Sequence, residues 1–217
     1  MSVTNTVGSA TTQDVPLRTS ASHPITLSGI FAWQGGSLGL CFCPGKCVNR
    51  DGVRHKRRLQ QDLKHLKERY GVTGLVCLLN TAELRSFGLR EYAAGVDKAG
   101  LVLLSFPIIE MAAPTCIHQT HHIVQQTAQL MAEGHHIAVH CRGGVGRAGL
   151  IAACLLLYTQ QAATGQEAIN IVRRRRCKSA IETARQEEFV CKYARLCQHE
   201  QASKSSASSD CTAVKLQ

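Results

Sequence analysis

The sequence predicts an α/β fold: a single domain in which helices cover both faces of a mostly parallel central sheet. Three observations carry this. Apolar runs of strand length alternate with longer helical stretches, the pattern of strands joined by helical crossovers. At 217 residues the chain suits one domain with loose ends. The stretch VHCRGGVGRAGL (139 to 150) passes from an apolar strand through glycines into an apolar helix, at the strand end where such sheets bind ligands.

Residues 1 to 22 are rich in Ser and Thr, lack apolar periodicity and read as a disordered tail, as do residues 199 to 217. Residues 23 to 198 form the expected domain. Its strand candidates are ITLSGIFA (25 to 32), LGLCFC (38 to 43), TGLVCLLN (73 to 80), GLVLLSFPII (100 to 109) and HHIAVH (135 to 140). Residues 54 to 70 are amphipathic, with Leu59, Leu63 and Leu66 on one helix face. Asn80 and Glu83 have capping-box spacing, and Pro114 suits the first turn of a helix running to about 133. AGLIAACLLLYTQ (148 to 160) reads as a buried helix. Thr164 with Glu167, and Thr183 with Gln186, mark two further helix starts.

Hydrophobic residues make up 44% of the chain, enough for a sizeable core, yet the longest apolar run, Leu150 to Tyr158, is far short of a bilayer span. The opening MSVTNTVGSATTQD lacks the basic start and apolar stretch of a secretory signal, and VKLQ offers no prenylatable cysteine. A soluble protein with no membrane partner is expected, in the cytoplasm, with the nucleus as an alternative address. Eleven cysteines, an odd count, are then expected to be reduced. Neither Cys41, Cys43 and Cys47 nor Cys116, His118 and His122 shows paired CxxC knuckles, so no metal site is expected.

Net charge is +10 and clustered. Residues 50 to 69 carry eight Lys/Arg against three acids, and Arg173 to Arg176 form a run of four. Such clusters favour an anionic partner, whether a phosphorylated protein, nucleic acid or an acidic lipid surface, unless they are merely solvated helix faces. Aromatics at 5%, with no stacking segment near the arginine run, argue against nucleic acid.

The glycine loop unites several features of phosphate chemistry. Gly143, Gly144 and Gly146 allow successive backbone N–H groups to turn inward as an anion nest. The helix starting near Arg147 points its positive end at the same spot, and Arg147 adds a planar fork of donors. A thiol in that field, Cys141, readily becomes a thiolate able to attack a phosphate ester. A Cys-x5-Arg spacing alone arises by chance about once in a chain this rich in both residues. The preceding His140, the glycines and the flanking strand and helix raise its weight. His140 is expected to support the loop through hydrogen bonds.

HCRGGVGR resembles the H-C-x5-R signature loop of the cysteine-dependent protein tyrosine and dual-specificity phosphatases. LGLCFCPGKC (38 to 47), the basic helix after it, FPIIEMAAP (106 to 114) and AACLLLY (152 to 158) resemble the cyclin-dependent-kinase-associated branch of that family. The resemblance covers most of residues 25 to 198 and implies the small dual-specificity type of the phosphatase fold. It implies Cys141 as nucleophile forming a phosphocysteine and Arg147 as the group that binds phosphate and stabilises the transition state. The remaining phosphate oxygens fall to the amides of Arg142, Gly143, Gly144, Val145, Gly146 and Arg147. It implies a phosphorylated protein as substrate, with a cyclin-dependent kinase as one candidate, and no metal or organic cofactor. The basic segment 50 to 69 would then serve docking or phosphate steering.

Two positions depart from the family pattern. Glu110 stands where the family uses an aspartic acid as general acid, and a carboxyl of either length can deliver the proton if it reaches. Ala148 stands where a Ser or Thr usually donates to the departing sulfur, which predicts slow release of phosphate. Gln186 is read as structural. Two alternatives follow: a low-turnover phosphatase-like module that binds phosphoproteins, and a phosphoinositide or RNA phosphatase. Lysines inside the loop, which phosphoinositide-acting relatives tend to carry, are absent here, where Gly143, Gly144 and Val145 stand beside Arg142.

Overall fold

The computed structural model describes residues 15–210 except residue 51. A five-stranded sheet forms its centre, built from β2 (Ser28–Trp33), β3 (Gly36–Phe42), β6 (Gly74–Cys77), β7 (Val102–Ser105) and β8 (His136–Cys141). Their order is β2-β3-β8-β6-β7, antiparallel only between β2 and β3, so the mostly parallel sheet expected from the sequence is present.

The inner strands β3, β8 and β6 are buried on both faces because they alternate between two cores. Ile137 and Val139 of β8, Val76 of β6 and Leu38 and Leu40 of β3 point to one. Ala138, Leu75, Cys77 and Cys41 point to the other, as the period of two requires. The first core is closed by α4 (Ile117–Ala132), α5 (Gly146–Tyr158), α6 (Gly165–Arg175) and α7 (Ala184–Asp210). From Gly146 to Leu157 every residue of α5 is buried, as its apolar sequence predicts. The second core is closed by α1 (Leu59–Tyr70) and α3 (Tyr92–Lys98), with Leu63, Leu66, Tyr92 and Val96 inside.

Caps act largely as their spacing predicts. Asn80 Oδ1 accepts from Glu83 N at 2.9 Å and Glu83 Oε2 accepts from Asn80 N at 3.1 Å, opening the short α2 (Thr81–Ser86). Thr164 Oγ1 accepts from Glu167 N at 3.1 Å, and Thr183 Oγ1 from Gln186 N at 3.2 Å. Pro114 is not in a helical turn: Cys116 is still extended (φ −127°, ψ 119°) and caps α4, which starts at Ile117.

A second sheet escaped the sequence reading. β1 (Leu17–Thr19), β5 (Val53–Lys56) and β4 (Cys47–Arg50) pair in the order β1-β5-β4. The helix expected from residue 54 therefore begins only at Leu59, because Val53 to Lys56 alternate between half-buried and exposed positions, the period of a strand. The expected N-terminal tail likewise does not reach residue 22. Arg57 donates to the carbonyls of His23 (2.8 Å) and Thr19 (3.4 Å), and Ser20 Oγ accepts from Arg58 N (2.9 Å). At the other end α7 runs past residue 198, with Glu200 Oε2 3.2 Å from His121 Nε2. Residues 1–14 and 211–217 of the expected tails lie outside the described residues.

Candidate active site

Parallel pairing puts the carboxyl ends of β3, β6, β7 and β8 on one edge, and the loops that follow them converge there. β8 is central, so its last residue, Cys141, is delivered into the middle of that edge, opposite Phe42 of β3. Cys141 is 4% exposed and lines a cavity of about 450 Å³ together with Glu110, Arg142, Gly143, Val145 and Arg147. Residues far apart in sequence that were singled out for one chemistry thus share one wall.

The loop is fastened through its carbonyls. Arg142 O accepts from Cys43 N (3.3 Å) and Lys46 Nζ (3.4 Å), and Val145 O from Ile181 N (3.3 Å). Arg176 donates from Nη2 to Gly143 O (3.0 Å) and from Nε to Gly144 O (2.8 Å). Each peptide is planar and trans, so a carbonyl tied back turns the following N–H the other way, into the loop. Gly144 has φ +68°, and a side chain there would run into the Cys41 carbonyl; only glycine lets β3 and the loop approach so closely.

Arg147, 3% exposed, donates through Nη1 to Ile108 O (2.8 Å) and to Glu83 Oε2 (3.0 Å), while Nη2 lies 2.9 Å from Glu83 Oε1. Burial opposes the guanidinium charge, but the Glu83 bonds and the charges of Cys141 and Glu110 outweigh it, so its pKa is raised. His140 is fully buried; its Nε2 accepts from Tyr92 Oη (2.7 Å) and its Nδ1 faces Cys141 O (3.4 Å). Burial pushes its pKa down to about 4, opposed by the Cys141 carbonyl bond and aided by the Arg147 charge, so the imidazole is neutral. Glu110 pairs with Arg142, Oε2 to Nη1 at 2.8 Å, at the half-open mouth.

Three further residues were not read as functional from sequence, and a fourth, Arg176, was read only as part of a basic run. Glu83 was seen only as half of a helix cap. Glu182 lines the cavity, its carboxylate lying where any side chain at position 146 would sit. Lys46 is buried in the cavity wall. Arg176 belongs to a run whose even spacing gave no sign that it divides: Arg173 also turns inward, to Glu187 Oε1 (2.6 Å) and Ala180 O (3.1 Å). Gln186, fully buried, accepts from Glu182 N (2.8 Å) and donates to Ala112 O (3.0 Å), tying the acid-bearing loop to the start of α7. Among the described residues no three His, Cys, Asp or Glu side chains gather as a metal site, and no helix is long and apolar enough to cross a membrane.

Residues 53–190 match the family described as Swiss Army Knife protein, DSP-PTPase phosphatase domain. Cyclin-dependent kinase inhibitor 3 of Rattus norvegicus is 32% identical over 153 residues, 70% of this chain and 69% of that protein. The chain belongs to the dual-specificity phosphatases. A crystal structure of kinase associated phosphatase, with its catalytic cysteine changed to serine, superposes with a TM-score of 0.71 at 26% identity, over 81% of this chain and 97% of that one. The active form of Tk-PTP matches in fold, with a TM-score of 0.61 at 24% identity, over 77% of this chain and 97% of that one.

As a dual-specificity phosphatase the protein is a cysteine-dependent enzyme, and its departures from the family pattern acquire a place. Ala148 is wholly buried in the first turn of α5, directly after Arg147, and its methyl offers a sulfur no hydrogen-bond donor. Glu110 faces the cavity that holds Cys141, and Arg142 stands on its carboxylate.

Proposed function

We propose that the protein hydrolyses phosphoserine, phosphothreonine or phosphotyrosine in protein substrates through a phosphocysteine formed on Cys141. The observation that carries this is the single cavity in which Cys141, the Glu83-braced guanidinium of Arg147 and a loop with its carbonyls tied back meet. In the first step the Cys141 thiolate attacks phosphorus and an S–P bond forms. The P–O ester bond breaks, its electron pair goes to the leaving oxygen, and Glu110 supplies the proton. In the second step water attacks phosphorus, Glu110 takes its proton, and the S–P electron pair returns to the sulfur. Arg147 and the amides of residues 142 to 147 hold the equatorial oxygens, where charge must be stabilised without reorganisation.

The name of the rat relative supports a cyclin-dependent kinase as one candidate substrate. Phosphate release from a panel of phosphopeptides, phosphorylated kinase and phosphoinositides tests the reading, with Cys141→Ser as control. A phosphoryl adduct on Cys141 in acid-quenched protein is the expected intermediate. No phosphate release from any phosphopeptide or phosphoprotein would overturn the reading.

The buried Ala148 and the Arg142–Glu110 pair favour a second reading, a module that captures phosphoproteins and turns over slowly. Single-turnover and steady-state rates on one phosphopeptide decide between them; binding without phosphate release favours the module.

A further inference from the structure

The four arginines at the end of α6 divide into two pairs. Arg173 and Arg176 turn inward, to Glu187 and to the loop carbonyls of Gly143 and Gly144. Arg174 and Arg175 stay exposed, and so does Lys178 just beyond the helix. The negative end of a helix favours basic residues in its last turn, which accounts for their charge but not for their surroundings. Arg174 and Arg175 rim a hollow of about 450 Å³ whose floor is Ile30 and Phe31 of β2, Leu156 of α5 and Ile171 of α6. Arg174 also borders a second hollow of about 460 Å³, together with Arg173, Cys177 and Lys178. None of these residues lines the cavity of Cys141.

Charge and shape together define what fits this groove. No acidic side chain lines either hollow, and among the described residues none forms an ion pair with Arg174, Arg175 or Lys178. Like charges held this close destabilise one another, so carboxylates seated among them are favoured. The floor is recessed: Ile30 and Leu156 are buried, and Phe31 and Ile171 are half-buried. It therefore receives an apolar side chain rather than presenting one. The exposed large apolar residues, Val15, Leu17, Val102, Ile109 and Met111, all lie elsewhere, so this face lacks the protruding anchors a membrane surface engages. Nucleic acid would meet the arginines, yet Phe31 is the one aromatic ring among the lining residues, a poor platform for stacked bases. A second copy of this chain lacks the complement. Its only adjacent acids are Glu187 and Glu188, and Arg173 already holds Glu187.

We propose that the groove between β2 and α6 docks an acidic segment of a partner protein. One apolar side chain of that segment fills the floor, and flanking carboxylates meet Arg174, Arg175 and Lys178. Arg176, the next residue along α6, reaches Ser28 Oγ of β2 at 3.4 Å, so the groove begins behind the signature loop. Because groove and cavity share no lining residue, a partner docked there leaves Cys141 open to a phosphorylated residue.

The test titrates the full chain into fluorescent, unphosphorylated peptides that carry one leucine and four glutamates at varied spacing, read by anisotropy. The readout is affinity alone, so it stands whether or not the protein turns phosphate over. At one spacing binding is expected, and it should weaken as salt rises. Changing the glutamates to glutamine should cost about tenfold in affinity, and changing the leucine to asparagine about tenfold as well. Arg174→Gln combined with Arg175→Gln alters only exposed side chains; it should melt like the parent protein and lose about tenfold in affinity. Lys178→Gln is a second variant, with an expected loss of about threefold. Failure of every peptide to bind, or binding that survives the double variant, would overturn the groove as the docking site. Equal affinity without the leucine would reduce the site to a charged surface and overturn the role of its floor. Tighter, Arg174- and Arg175-dependent binding of oligothymidine or of phosphatidylserine vesicles would overturn the acidic segment as its occupant.

Discussion

Glu83 holds Arg147 at two points, Oε2 accepting from Nη1 at 3.0 Å and Oε1 lying 2.9 Å from Nη2. The same Oε2 accepts from Asn80 N at 3.1 Å, so the cap of α2 and the brace of Arg147 are one carboxylate. With Ile108 O also on Nη1, the guanidinium is fixed before any phosphate arrives. Glu83→Ala leaves the Arg147 charge buried without its counter-charge. Hydrogen bonds to charged groups are worth about 1.5–3 kcal/mol, so kcat/KM should fall about 10- to 100-fold. Asn80→Ala, which removes only the other half of the cap, should cost about 1 kcal/mol of stability and leave kcat/KM within a few-fold. Steady-state kinetics with a melting curve for each variant separates the two roles; equal kinetic losses would refute the brace.

Arg176 acts on the loop from behind, tying the Gly143 and Gly144 carbonyls and reaching Ser28 Oγ at 3.4 Å. It does not itself line the cavity and bonds to the loop's carbonyls, so it is a positioning residue. Arg176→Lys keeps the charge but cannot bridge two carbonyls with a planar fork. We expect KM for a phosphopeptide to change little and kcat to fall about tenfold, the loss of one to two hydrogen bonds in the transition state. An increase in KM with kcat intact would show that the arginine serves ground-state binding instead.

Much of this architecture was legible in the sequence because it follows periodicity and turn chemistry. The alternation of short apolar runs with helices announced the parallel sheet, and Cys141 to Arg147 announced the loop, since glycines between an apolar strand and an apolar helix have few other uses. What was hidden depended on long-range pairing. Leu17–Thr19 is a strand only because β5 lies beside it, and three residues carry too little pattern to show that. Arg57 looked like one of eight basic groups in the charged stretch 50 to 69, yet it is buried against Asp62, with Nε 2.8 Å from Oδ2. Like signs in a row say nothing about which members find an inward partner, and Arg173 and Arg176 repeat the lesson.

His140 makes stability depend on pH. In the native state burial holds its pKa near 4, whereas the unfolded imidazole titrates near its ordinary 6.5. Between these values the unfolded chain binds more protons, so stability is full above about pH 6.5 and is lost as pH falls toward 4. The full difference corresponds to about 3 kcal/mol. Urea unfolding at a series of pH values between 7.5 and 4.5 should show this decline, and His140→Asn should flatten it. Tyr92→Phe removes the hydroxyl that donates to Nε2 and should cost about 1–3 kcal/mol at neutral pH. An unchanged slope in His140→Asn would assign the acid sensitivity to other groups.

On the proposed phosphocysteine route, Ala148 is expected to make the second half of the reaction limit the rate. Its methyl is fully buried in the first turn of α5 and offers the departing sulfur no hydrogen-bond donor. Attack on the substrate does not need that donor, but breaking the S–P bond does, because negative charge returns to the sulfur. The wild-type enzyme should therefore show a burst of leaving group equal to the enzyme concentration, then a slow linear phase. Ala148→Ser supplies a hydroxyl donor directly after Arg147, and should raise the linear rate about 10- to 100-fold while shrinking the burst. Ala148→Gly, which removes the methyl without adding a donor, should not. If the wild type runs linearly from the first turnover and Ala148→Ser matches it, dephosphorylation of the cysteine is not the slow step.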